Sequence, residues 1–248
     1  MSENIKKHKK SHSSWNQLLR VVMKLPGVKQ DRKAFLSEAL SPYCTEQQVL
    51  QAISTSPVGV VPTAILDKAA DECISSHTLK VTLISTAAGM PGGWALAATI
   101  PTDIAQYYFH TFAVAQKLAY LYGWPDLSSD ADDDNTAAAN MMTVFVGSMS
   151  GVAAANEVIN YVAKQLAESV IKEVSENMIE QTVSRSIISR IARSLGRKLS
   201  SESAAKTFGK IVPLVGGLIS GGITLATFRP QAKRLKTALQ KACRKDVL

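Results

Sequence analysis

The chain is poor in the residues that make chemistry easy to recognise. Its three cysteines, Cys44, Cys73 and Cys243, are odd in number, scattered over 248 residues and in no Cys-x-x-Cys spacing. That argues against a disulfide framework and for a reduced, cytoplasmic chain. The four histidines, His8, His12, His77 and His110, are equally dispersed, and no glycine-rich phosphate loop is present. With no cluster at metal-ligand spacing, neither a metal nor a cofactor is expected. Gly147-Ser148-Met149-Ser150-Gly151 has methionine where a nucleophile elbow needs serine. Ser203-Ala204-Ala205-Lys206 fits Ser-x-x-Lys but stands without a companion motif. The chain therefore reads as non-enzymatic.

Strand-length alternation of apolar and polar residues is also missing, which leaves an all-α class. The predicted architecture is a helical bundle with a Gly/Ala-rich apolar hairpin and long amphipathic helices. Although 46% of residues are hydrophobic and only 19% charged, the mean hydropathy is +0.04, short of what several full bilayer spans would give. A secretion signal is not expected either. Lys6, Lys7, Lys9 and Lys10 are followed only by the eight residues from Leu18 to Leu25, which contain Arg20 and Lys24.

What the chain has is charge segregation. Residues 1–33 hold nine Lys/Arg against two acids, residues 34–184 five against sixteen, and residues 185–248 fourteen against two. Basic ends around an acidic middle imply an anionic partner for the ends: phospholipid headgroups, nucleic acid or the chain's own middle. Nucleic acid is set aside, because no recognised binding motif or interleaved aromatic platform accompanies the charge.

The chain also has long apolar runs. From Val81 to Pro125 the formal charges are Asp103 and Lys117 alone. Met90-Pro91-Gly92-Gly93 breaks the first half, Pro101-Thr102-Asp103 turns, and an aromatic half ends at Gly123-Trp124-Pro125. This reads as a helical hairpin, buried either in protein or in lipid, with the aromatic half the candidate lipid contact. Asp103 sits where a helix start needs a cap; the alternative is a functional acid paired with Lys117. Asn135 to Asn156 is a second uncharged run, long enough to span a bilayer, and Ile211 to Phe228 a third. Each run carries glycines four apart, Gly89 and Gly93, Gly147 and Gly151, Gly217 and Gly221, a spacing that lets helix backbones approach closely.

Around these runs the expected order is a disordered basic arm (1–13), an N-terminal helical segment (14–61) and a larger helical domain (62–248). Trp15, Leu18, Leu19 and Val22 mark a short first helix, 32–40 a second, and the Thr45/Gln48 capping box a third. Asp130, Asp132 and Asp134 begin like a calcium loop, but Asn135 replaces the turn glycine and Met141 the final glutamate. Apolar residues then recur in steps of four from Val158 to Met178 and continue through Ile187, Ile191 and Leu195. Arg185, Arg190, Arg193, Arg197 and Lys198, and on the tail helix Arg229, Lys233, Arg234 and Lys236, form the candidate lipid-binding set. Polybasic helices beside apolar segments are drawn to an anionic cytoplasmic leaflet.

Pro91-Gly92-Gly93 leading to Pro101-Thr102-Asp103-Ile104, the aromatic helix ending Ala119-Tyr120-Leu121-Tyr122-Gly123, and Ile211-Val212-Pro213-Leu214-Val215-Gly216-Gly217 together resemble the EcsC family of bacterial proteins. The resemblance spans about Pro62 to Lys241. It implies a membrane-associated helical protein without assigned catalysis, in a family sometimes encoded near an ABC transporter linked to secretion, and leaves a membrane protein or an ABC transporter as the candidate partner. Here Pro101 precedes Asp103-Ile104, whereas the family places Asp-Ile-Pro after the glycines, and no family site transfers to residues of this chain. A soluble helical interaction module and a pore-forming effector use the same features and stand as alternatives.

Overall fold

The computed structural model describes residues 14–84, 102–127, 137–168, 185–199 and 220–245, and nine α-helices make up most of them. They are α1 (residues 14–23), α2 (Arg32–Leu40), α3 (Glu46–Ser54), α4 (Thr63–Ile84), α5 (Thr102–Leu121), α6 (Ala137–Met149), α7 (Ala153–Glu168), α8 (Arg185–Leu199) and α9 (Ser220–Lys245). Among the described residues the β-structure is one isolated bridge, Val58 to Val61. The basic arm, the aspartate-rich stretch from Asp130, and Gly89, Gly93 and Gly217 lie outside them.

The short helices are fixed by their ends. Asp31 Oδ1 accepts the Ala34 amide at 2.9 Å to start α2. Thr45 and Gln48 close a reciprocal capping box on α3, with the Gln48 side chain accepting the Thr45 amide at 3.0 Å. The α4 helix runs unbroken through Ser75-Ser76-His77, held by the buried face of Ile74, His77, Thr78 and Val81, while Ser75, Thr78 and Thr82 satisfy their hydroxyls on carbonyls four residues back.

The fold centres on α5, the aromatic half of the apolar hairpin. Phe112, Leu118, Tyr120 and Leu121 are wholly buried, each by contact with protein. Trp15 of α1 packs edge-on against Tyr108 and Phe112, at 5.9 and 6.2 Å between ring centroids. Its indole N–H reaches Thr143 Oγ1 of α6 at 3.0 Å. Trp124 packs on Phe145 of α6, and Tyr107 on Phe228 of α9. Each fully buried large side chain contributes about 1.5–3 kcal/mol over an exposed one. The expectation that this aromatic half meets lipid is therefore corrected: every described aromatic ring of α5 packs in the protein core or against it.

Polar groups lock the N-terminal segment onto the same helix. Gln116 donates to Val28 O at 2.9 Å and accepts the Gln30 amide at 3.1 Å. Buried Arg32 donates to Trp124 O and Ile53 O, so α2, α3 and the end of α5 share one side chain. Residues 14–61 thus contribute to the core that the later helices form.

Two glycines end helices in Schellman turns. Gly123, at φ +85°, lets the Trp124 amide reach Ala119 O at 3.0 Å. Gly151, at φ +78°, lets the Val152 amide reach Gly147 O at 2.9 Å. The Asn135 to Asn156 run is consequently two helices, not one spanning segment, and Gly151 serves a turn where a helix-packing role was expected. Gly147 does lie in a packed crossing: a Cβ there would stand 2.6 Å from Ile191 Cγ2 of α8. Pro230 lies inside α9 although proline removes one helical hydrogen bond. The continuous face of Phe228, Ala232, Leu235 and Leu239, all buried, holds the helix through it.

Candidate anionic-surface interface

The α8 helix separates its two chemistries around its axis. At 100° per residue, Ile188, Ile191, Leu195 and Leu199 fall within one arc, and Ile191 and Leu195 are buried. Arg193, Arg197 and Arg190 fall on the opposite arc, while Arg185 flanks the apolar arc beside Leu199; Arg185, Arg190 and Arg197 are exposed and Arg193 half-buried. Arg193 returns its Nε to Ser189 O at 3.1 Å. The α9 helix repeats the arrangement, with Leu235, Leu239 and Ala242 inward and Arg229, Lys233 and Lys241 exposed.

The two helices meet at the C-terminus of α6. Lys198 stands at the edge of the apolar arc of α8, so its ammonium turns to the fold and donates to Ser150 O at 2.7 Å. Arg234 of α9 reaches the neighbouring Met149 O at 3.4 Å. Cations at a helix C-terminus complement the carbonyls that have no intrahelical partner. Burial, reinforced by Arg234, holds the Lys198 ammonium below its ordinary pKa.

Lys236 differs from the other cations of the predicted set. It donates to Asp67 O at 3.0 Å and pairs with Asp71 Oδ1 at 2.8 Å, with only 13% of its side chain exposed. It belongs to a clamp between α9 and α4, and its assignment to the lipid-binding set is corrected on that ground. Asp67 also accepts from Tyr122 at 2.7 Å and from Gln240 at 2.6 Å, and Glu72 accepts from Tyr43. An open groove of about 550 Å³ runs past these acids, lined by Ala64, Asp67, Lys68, Asp71, Glu72 and Ser75. Its three carboxylates are engaged in holding helices together.

Asp103 falls in the first turn of α5. Lys117 lies fourteen residues along the same helix, with its ammonium over the Phe35 ring at 5.2 Å. At 1.5 Å per residue that is about 21 Å away, so no Asp103–Lys117 pair forms.

Sequence reasoning missed one pairing. His77 of α4 and His110 of α5, read as scattered, face each other with Nδ1 atoms 3.4 Å apart, and each is 4% exposed. The available signal was their register: His77 follows Leu66, Ala70 and Ile74 on the inward face of α4.

Among the described residues, no three His, Cys, Asp or Glu gather as a metal site, and no helix is long and apolar enough to cross a membrane. Leu50, Leu79 and Tyr161 are the large hydrophobic residues most exposed, on three different helices. No family model, curated protein or solved structure matches the chain.

Proposed function

We propose that the protein is a non-enzymatic, peripheral membrane protein that docks on anionic lipid headgroups through the basic faces of α8 and α9. One observation carries this reading. Residues 185–199 and 220–245 hold twelve Lys or Arg and no Asp or Glu, and Arg190, Arg193 and Arg197 lie opposite the face that α8 packs on α6. Such charge acts at about 1 kcal/mol per residue near an anionic surface and fades beyond a Debye length. The resemblance to the EcsC family is consistent with a cytoplasmic-side location and with a transporter or other membrane protein as a partner.

A second reading keeps the same faces for an acidic protein partner. It is favoured by the burial of α5 and α6, which turns two apolar runs into ordinary core. Vesicle co-sedimentation separates the two. Lipid docking requires binding to vesicles containing phosphatidylserine, little binding to phosphatidylcholine alone, and weakening as salt rises. Equal partitioning to both vesicles, or to neither, refutes it, and partitioning to neither leaves the soluble module. Leakage of an encapsulated dye would instead mark a pore-forming effector.

A further inference from the structure

The His77–His110 contact lies where α4 and α5 pack, the two rings edge to face at 72° with centroids 5.6 Å apart. A hydrogen bond between two Nδ1 atoms needs one ring protonated there and the other bare. The first ring then has a bare Nε2 and the second a protonated one. Both Nε2 atoms are buried without a partner in the described structure. The pair is thus built for two neutral imidazoles that share a single bridging proton. If both rings become cationic, both Nδ1 atoms carry hydrogen and face each other at 3.4 Å, and the contact turns repulsive.

Among the described residues no acid offsets that charge. The charged groups acting on the two rings are Lys117 of α5 and Lys80 of α4, both of the wrong sign. Cys73, one turn before His77, is a neutral, half-buried thiol with its pKa pushed up to about 12, mainly by desolvation. Glu38 of α2 acts on that thiol. The Phe109 ring packs edge-on beside His110. On the α9 side, Lys236 engages Asp67 and Asp71, which sit at least six residues before His77 along α4.

We propose that His77 and His110 form a proton-operated latch, holding α4 to α5 when neutral and releasing α4 when acid charges them. This does not depend on the lipid reading. Burial, reinforced by Lys117, the neighbouring imidazole and Lys80, drives His77 down to about 2. Burial with Lys80 and Lys117 drives His110 down to about 4. Both groups bind protons more weakly in the closed form than in an open one, whose histidines titrate near pH 6.5. The latch is therefore fully closed above about pH 6.5 and weakens as the pH falls from there towards about 4. Each site contributes up to tenfold per pH unit, so the open-to-closed ratio rises about 100-fold between about pH 7.5 and pH 5.5.

Hydrogen exchange of the full-length chain, corrected for intrinsic rates, reads that ratio directly. Amides of α4 should lose about 100-fold in protection over this interval while those of α6 keep theirs; uniform loss along the chain, or none, overturns the proposal. In the His77→Gln/His110→Gln variant, protection of α4 should become flat over the same interval, and an unchanged pH slope is a refutation. Should that variant fail to fold, imidazole proton resonances of the wild type decide the matter. Both histidines must stay neutral at about pH 6 with α4 and α5 protected, and titration of either near pH 6.5 in the closed form overturns the latch.

Discussion

Replacing Arg190 and replacing Lys236 remove the same unit charge, yet the structure predicts different outcomes. Arg190 is exposed on the outer arc of α8. Lys236 is mostly covered, bonded to Asp67 O and paired with Asp71. A Lys or Arg beside an anionic leaflet is worth about 1 kcal/mol, or about fivefold in partitioning. Arg190→Gln with Lys233→Gln should thus weaken vesicle binding about 30-fold. Lys236→Gln should leave it within about twofold and instead lower stability by about 1 kcal/mol, since Asp71 is half-exposed and solvent screens its share. The assay is titration of the full-length chain with vesicles of fixed phosphatidylserine content, beside urea unfolding of each variant. Equal loss of binding for Lys236→Gln and Arg190→Gln would show that net charge, not this face, governs docking; no loss in the double variant would refute docking through the face itself.

Two packing predictions test the scaffold beneath that face. Gly147→Ala places a methyl 2.6 Å from Ile191 Cγ2; overpacking of about 1–3 kcal/mol should outweigh the roughly 1 kcal/mol that alanine gains in a helix. In an Ile191→Ala background the same change should cost clearly less, the Ala155 Cβ at 3.1 Å being the close neighbour that remains, and an equal loss in urea midpoint in both backgrounds would refute the α6–α8 crossing. Thr143→Val leaves the buried Trp15 indole N–H without its partner and should cost about 1–3 kcal/mol. An unchanged urea midpoint, followed by tryptophan fluorescence, would place Trp15 elsewhere than against α6.

Local signals carried much of the helical framework. The Thr45/Gln48 capping box, the Gly123 stop, the inward Leu235 and Leu239 of α9 and the bounds of α2 could each be read from a few adjacent residues, because caps, turns and helical periodicity act over one turn. The inward face of α3 was legible only in part: Val49 is buried, while Leu50 is 60% exposed. A nine-residue helix carries too few apolar positions to fix its rotation, and contact with α2 decides it.

Long-range facts were not legible, and the reason is physical. An uncharged helix is equally suited to lipid and to a protein core, since both are apolar; what decides is whether other helices supply a complementary surface. For α5 that surface comes from Trp15, Phe145 and Phe228, more than thirty residues away from it in two of the three cases. The same limit applies to charge. Lys233 and Lys236 are three residues apart on one basic helix, and only the position of Asp71 on α4 distinguishes the exposed cation from the clamped one. Once α5 and α6 are taken up by the core, the basic arcs of α8 and α9 are the broadest one-signed feature left on the described helices. The binding energy on this reading resides in the exposed, partially screened cations of α8 and α9 rather than in buried apolar area, so affinity for a surface must fall steeply with salt. Salt dependence is therefore the property that would separate docking of this kind from anchoring by insertion.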